Sequence, residues 1–166
     1  MSLASDLLPG GKTPAPLQRL VREVQQVLRY DDLRPEWAVK AQAACNVLTG
    51  NCANASGVIW YVLGRVPGWK FRSLPARVWP EGGPHYFLVH EPTGLVLDPT
   101  AAQYPKGTRI PYERAEGRAP ATRGRDKRGR ALPLSSARPI VQRLLATPSG
   151  RSAVREALRW SRAHAA

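Results

Sequence analysis

The stretch Gly50-Asn51-Cys52-Ala53-Asn54-Ala55-Ser56-Gly57-Val58-Ile59-Trp60-Tyr61-Val62-Leu63 reads as a turn that delivers one cysteine to the first turn of a buried helix. Asn51 is a competent N-cap, because its side-chain oxygen can accept from an orphan backbone N–H one turn on. The apolar run to Leu63 then gives a helix without a polar face, and Pro67-Gly68 is expected to stop it. A thiol at a helix N-terminus sits among unpaired N–H groups at the positive end of the dipole, which favours the nucleophilic thiolate. Such a sulfur calls for a base.

Two of the three histidines follow in Gly83-Pro84-His85-Tyr86-Phe87-Leu88-Val89-His90-Glu91-Pro92-Thr93-Gly94-Leu95-Val96-Leu97-Asp98-Pro99-Thr100. Two β-prone runs, Tyr86 to Val89 and Leu95 to Leu97, flank Glu91-Pro92-Thr93-Gly94, a four-residue reversal, and together they predict a hairpin. His85 opens the first strand and Asp98 closes the second, so both fall at the end away from the turn. They share a face if the register pairs residues of opposite parity, such as His85 with Asp98 or Phe87 with Asp98.

A Cys at a helix start, a His opening a strand and an Asp ending the next before Pro-Thr resemble the transglutaminase-like and papain-like cysteine enzymes. The matching segments are Gly50-Asn51-Cys52, Ala76-Arg77-Val78 with His85-Tyr86-Phe87-Leu88-Val89, and Leu95-Val96-Leu97-Asp98-Pro99-Thr100, within Gly50 to Tyr104, about a third of the chain. The resemblance implies that Cys52 is the nucleophile, His85 the base and then acid, and Asp98 the group that holds the imidazole tautomer. Asn46, six residues before Cys52, stands at the separation where papain-like enzymes place an oxyanion-hole glutamine, and Asn51 and Gln103 are rival donors.

Around this centre, Leu17, Leu20, Val21, Val24, Val27 and Leu28 recur at helical spacing and predict an amphipathic helix. Arg34-Pro35-Glu36 starts a second helix, with Trp37, Val39, Ala41, Ala44 and Val47 as apolar members up to Thr49-Gly50. Lys70 to Leu74 and Ala76 to Trp79 predict two short strands broken at Pro75, and Gln103 to Tyr112 an extended return across the sheet. The expected class is α+β: N-terminal helices and a buried helix carrying the Cys, packed on a small antiparallel β-sheet in the papain-like or transglutaminase-like manner, with a basic helical C-terminal tail. The expected divisions are a flexible leader (1–15), a catalytic domain (16–112), an Arg/Gly-rich linker (113–135) and the tail (136–166).

The chain has 166 residues, 43% of them hydrophobic, which suits one domain with a real core. Its net charge of +13 is concentrated late: residues 1–112 carry 12 Lys and Arg against 8 Asp and Glu, residues 113–166 carry 13 against 4. Two helices are read from Pro139 to Leu145 and from Ser149 to His164. The second aligns Arg151, Arg155, Arg159 and Arg162 as a candidate anion-binding stripe, with Val154, Ala157, Leu158 and Ser161 on another face. That stripe suits nucleic acid, an acidic protein or an anionic membrane surface, or is simply a solvated face. No zinc-finger spacing, Gly-rich phosphate loop or aromatic-interleaved RNA-binding motif supports the nucleic-acid reading, and no cofactor is expected. No metal is expected either, since His85 and His90 have opposite strand parity and His164 lies in the C-terminal segment. Cys45 is read as a core residue with both thiols reduced. The N-terminus lacks a signal-peptide pattern and no run suits a transmembrane segment, so a cytoplasmic protein is expected; the arginine-rich composition would suit a high-GC bacterium or its phage.

These features lead to a cysteine-dependent acyl-transfer enzyme acting on a protein or peptide substrate, with peptide or amide hydrolysis first. Transglutamination, glutamine deamidation or acyl transfer would use the same triad. The competing class is a non-catalytic basic module that binds nucleic acid or an acidic protein.

Overall fold

A computed structural model describes residues 13–117 and 133–166. Its elements are α1 (Ala15–Val27), α2 (Pro35–Ala43), α3 (Cys52–Leu63), β1 (Trp69–Leu74), β2 (His85–His90), β3 (Leu95–Leu97), α4 (Pro133–Ala146) and α5 (Pro148–Ala163), with short 3-10 turns at Tyr30–Asp32, Ala101–Gln103 and Tyr112–Arg114. Among the described residues the chain is thus α+β, with five helices and one three-stranded antiparallel sheet in the order β1-β2-β3.

The sheet separates two apolar clusters by strand parity. Trp69 and Phe71 of β1, Leu88 of β2, and Leu95 and Leu97 of β3 face the helices, joining Leu17, Leu20 and Val24 of α1 and Val58, Ile59 and Leu63 of α3. Each fully buried Leu, Ile or Phe of this kind contributes about 1.5–3 kcal/mol. Leu74, Phe87 and Val96 point the other way, where Trp79, Tyr104 and Tyr112 cover them. The return segment after β3 crosses this second face and reaches the far edge of the sheet, where Glu116 bridges to Ser73 on β1.

Several local expectations are corrected. The second helix stops at Ala43, because Cys45 adopts φ 48 and the Asn46 N–H returns to Ala41 O while the Cys45 N–H returns to Gln42 O. This is a Schellman ending with a cysteine at the left-handed position usually held by glycine. As a result Cys45 is exposed rather than core, and Trp37 and Val39 are exposed too. Ala76 to Trp79 form no strand: the Val78 and Trp79 N–H groups both turn back to Pro75 O, winding the segment so that Trp79 seats against the second cluster. α3 ends at Leu63, with Gly64 as its C-cap, before Pro67 is reached.

The C-terminal helices are no tail. Ala137, Ile140, Val141 and Leu144 of α4 and Val154 and Ala157 of α5 are buried in the main cluster with α1 and α3. Arg143 ties α4 to the end of α1, donating to Val27 O at 3.0 Å and pairing with Asp32 at 2.6 Å. Arg19 of α1 pairs with Glu156 of α5. α5 begins with Thr147, whose hydroxyl accepts the Gly150 N–H at 3.0 Å, and Pro148 follows at the first helical position. The leader assigned to residues 1–15 lies outside the described residues except for its last three, of which Ala15 already opens α1. Of the linker assigned to 113–135, residues 118–132 lie outside them.

Candidate active site

Three segments meet at one end of the sheet. Gly50, at φ +78, turns the chain into α3 at a place where a Cβ would come within 2.9 Å of the Trp37 ring, so both conformation and packing select glycine. Cys52 is the first residue of α3. One turn later the Ser56 hydroxyl donates to Tyr86 O at 2.9 Å, which fixes the helix against the strand residue next to His85. The hairpin register pairs Leu88 with Leu97 and Val89 with Val96. One more step in that register sets Asp98 opposite Phe87, so Asp98 lies diagonal to His85 on the same face.

His85 Nε2 and Asp98 Oδ2 are 2.6 Å apart. With Nε2 committed to Asp98, Nδ1 is the nitrogen left for Cys52, whose thiol lies close enough to the ring to favour its charged form. His85 is 0% exposed, Asp98 1% and Cys52 7%. Burial disfavours the charged imidazole and is the strongest single influence on it. The charge and hydrogen bond of Asp98, followed by those of Cys52, together outweigh it and push the His85 pKa up to about 10. At neutral pH the ring therefore carries both protons, one held by Asp98 and one facing Cys52.

Asp98 is itself held by groups that local sequence patterns do not reveal. Oδ1 accepts the Thr100 N–H at 3.0 Å, and Oδ2 accepts the Tyr112 hydroxyl at 2.8 Å in addition to His85. Burial first, and then the Asp98 charge, raise the Tyr112 pKa, so Tyr112 is a neutral donor across the physiological range. Gln25 of α1 donates to Pro99 O at 2.9 Å and braces the same corner from the helical side. No spacing rule connects Tyr112 to Asp98; only the return of the chain across the sheet brings them together. Ser56 had a signal: a hydroxyl one turn past Cys52 in an otherwise apolar helix needs a buried partner.

The three proposed oxyanion donors separate. Asn46 donates to Ala102 O at 3.3 Å and accepts the Leu48 N–H at 3.0 Å, so its amide joins two loops. Asn51 is the N-cap residue by position, but its side chain does not cap. It is buried, donates to Val47 O at 2.7 Å and accepts from Asn54 Nδ2 at 2.8 Å. Gln103 alone of the three contacts the triad: Oε1 accepts the Gly50 N–H at 3.2 Å, and Nε2 donates to Thr100 Oγ1 at 3.1 Å and lies 3.4 Å from His85 Nδ1.

An aromatic wall encloses the imidazole. Tyr104 meets it edge-on at 5.2 Å between centroids, and Trp79 meets Tyr104 at 4.8 Å. The Tyr104 hydroxyl donates to Gly82 O at 2.8 Å, fastening the 79–84 loop beside the site. Cys52 Sγ lies 3.9 Å from Pro84 O, at the end of that loop.

The other candidates lie elsewhere. Arg151, Arg155, Arg159 and Arg162 are all exposed on α5, and Arg151 caps α4 by donating to Leu145 O at 2.8 Å. His164 is not remote from His90 of the hairpin, because α5 folds back and stacks it on Trp160, which in turn contacts His90. Among the described residues no three His, Cys, Asp or Glu side chains cluster as a metal site would require, and no helix is long and apolar enough to cross a membrane. Comparison with known proteins adds no name to this geometry: no family model, curated protein or solved structure matches the chain.

Proposed function

We propose that this chain is a cysteine-dependent acyl-transfer enzyme, of the transglutaminase-like or papain-like kind, that hydrolyses a peptide or related amide. One observation carries the reading: a buried His85–Asp98 pair at 2.6 Å whose remaining ring nitrogen is left for a thiol at the first turn of a helix. Structural ion pairs also lie buried, but this one has a nucleophile on its open side.

In this reading the proton of the Cys52 thiol resides on His85 Nδ1, and the resulting thiolate attacks the carbonyl carbon: its electron pair forms the C–S bond while the carbonyl π electrons move to oxygen. Gln103 Nε2 and the Cys52 N–H, which has no acceptor within the helix, stabilise that oxyanion. With Nδ1 protonated the ring accepts nothing from the Gln103 amide, which leaves that amide free for the oxyanion. Collapse of the intermediate breaks the C–N bond, and the departing amine takes the proton from His85 Nδ1. The neutral ring then removes a proton from water, hydroxide attacks the thioester, and the C–S bond breaks to release the acid and restore the thiolate beside the protonated ring. Asp98 holds Nε2–H throughout and so keeps Nδ1 aimed at the reacting atoms.

The test is acylation of the native protein by a small chromogenic ester and by a fluorogenic peptide set, with mass spectrometry to find the modified residue. The expected result is a thioester on Cys52 that turns over. Cys52→Ala abolishes it, His85→Ala slows it by about 10²–10⁴-fold, and Cys45→Ser leaves it unchanged. An unmodified Cys52, or modification indifferent to His85, overturns the enzyme reading in favour of a binding module.

A further inference from the structure

Between α3, α4 and α5 runs a groove of about 410 Å3 that shares no residue with the Cys52 site. Its α5 wall is Val154, Leu158 and Arg162, one residue per turn over about 12 Å. Tyr61 on α3, Arg65 one turn further and Leu145 near the end of α4 complete the lining used here. Trp69 Nε1 donates to Ser161 Oγ at 3.0 Å, which draws the chain beyond α3 to the last turn of α5. Arg65 and Arg162 therefore stand at the same end, and the other end is apolar.

Two properties of this groove are left without a counterpart within the described residues. Tyr61 and Leu145 are 41% and 37% exposed, although most large hydrophobic side chains are covered. Arg65 and Arg162, with Arg155 and Arg159 on the adjoining solvent side of α5, pair with no carboxylate among the described residues. An apolar floor with an unanswered cationic rim fits an occupant with an apolar ridge and carboxylates along its margin.

We propose that this groove docks an acidic amphipathic helix of a partner protein. About two turns of such a helix match the 12 Å wall, its apolar face lying on Tyr61, Leu145, Val154 and Leu158 and its acidic side chains meeting Arg65 and Arg162. The chain's net charge of +13 steers the acidic partner inward. A nucleic acid would meet the arginines as well, but its phosphate backbone has no apolar ridge to fill the floor. The proposal is independent of chemistry at Cys52.

The experiment titrates the full-length protein against a fluorescein-labelled amphipathic helical peptide of Leu, Ala and Glu by fluorescence anisotropy at physiological salt, with duplex DNA as the second probe. The expected result is peptide binding in the micromolar range, weakened at least about tenfold by Leu145→Asp and by the pair Arg65→Glu and Arg162→Glu. The pair Arg109→Glu and Arg114→Glu makes the same charge change away from the groove and should alter binding less than about twofold. Tyr61→Ala replaces Leu145→Asp if circular dichroism shows the latter unfolded, and Cys52→Ala should bind like the native protein. Absence of peptide binding, binding that follows net charge alone, or preferred binding of DNA that ignores Leu145 and Tyr61 overturns the proposal.

Discussion

Replacing Asp98 by Asn probes the buried pair through a property that needs no substrate. The shape is kept while the charge opposite His85 Nε2 is removed. An unfolded histidine titrates near 6.5, whereas burial, opposed and outweighed first by Asp98 and then by Cys52, leaves folded His85 at about 10. The folded state therefore holds this proton more tightly. Its contribution to stability is fully present below 6.5 and is lost as pH rises through 10. A displacement of that size is about 5 kcal/mol when both states are protonated, about 4 at pH 7 and about 1 near pH 9.5. Without the Asp98 charge, the largest influence holding the proton is gone and desolvation draws the His85 pKa down. Urea unfolding of both proteins at about pH 6.5, 8 and 9.5 should show the native advantage shrinking by roughly 3 kcal/mol across that range. Histidine ring NMR should find His85 protonated at pH 8 only in the native protein. Parallel stability curves, or a native His85 that titrates at or below 6.5, would refute the reasoning.

Three further outcomes follow from the same geometry. Tyr112→Phe deletes a neutral donor 2.8 Å from Asp98 Oδ2 and should cost about 1.5–3 kcal/mol by urea unfolding, the range for a hydrogen bond to a charged group; a loss below about 0.5 kcal/mol would mean that Tyr112 does not hold the carboxylate. Tyr104→Phe removes the bond to Gly82 O that fastens the 79–84 loop, so iodoacetamide should label Cys52 several-fold faster while exposed Cys45 is unchanged; equal acceleration at both thiols would indicate general loosening instead. Deleting residues 133–166 strips Ile140, Val141, Leu144 and Val154 from the main cluster. At about 1.5–3 kcal/mol per large side chain this approaches or exceeds the 5–15 kcal/mol that holds a typical domain, so the truncated chain should show no cooperative thermal transition.

Periodicity made the helix pattern of α1 and the alternation of the hairpin legible because each depends on neighbours in sequence. Leu17, Leu20, Val21 and Val24 are all buried, and the β2–β3 register has the opposite parity that sets His85 and Asp98 on one face. The boundaries of α2 were hidden because its stop signal is a cysteine in a conformation usually given to glycine. The role of α4 and α5 was hidden for another reason. Their arginines dominate composition, but the small residues Ala137, Ala153, Ala157 and Ser161 that let the helices approach the core carry no charge pattern. Counting charge made a tail of what packing makes a wall.

At the candidate site, the residues legible in sequence are those tied to element ends: Cys52 at a helix start, His85 at a strand start, and Asp98 just past a strand end. Their supports come from the segment with the least local pattern, residues 100–112, which supplies the Thr100 N–H, Gln103, Tyr104 and Tyr112. That segment does two things at once. Through Thr100 and Tyr112 it fixes the carboxylate, and through Tyr104 it fastens the loop that ends at Pro84, 3.9 Å from Cys52 Sγ. Cys52 is only 7% exposed, and its sulfur lies against the end of the 79–84 loop that the Tyr104 bond to Gly82 O fastens. The carboxylate and the loop beside the thiol thus both depend on one stretch of chain, and under the proposed acyl transfer that stretch, rather than Cys52, His85 and Asp98 themselves, is where selectivity for an acyl donor would be set.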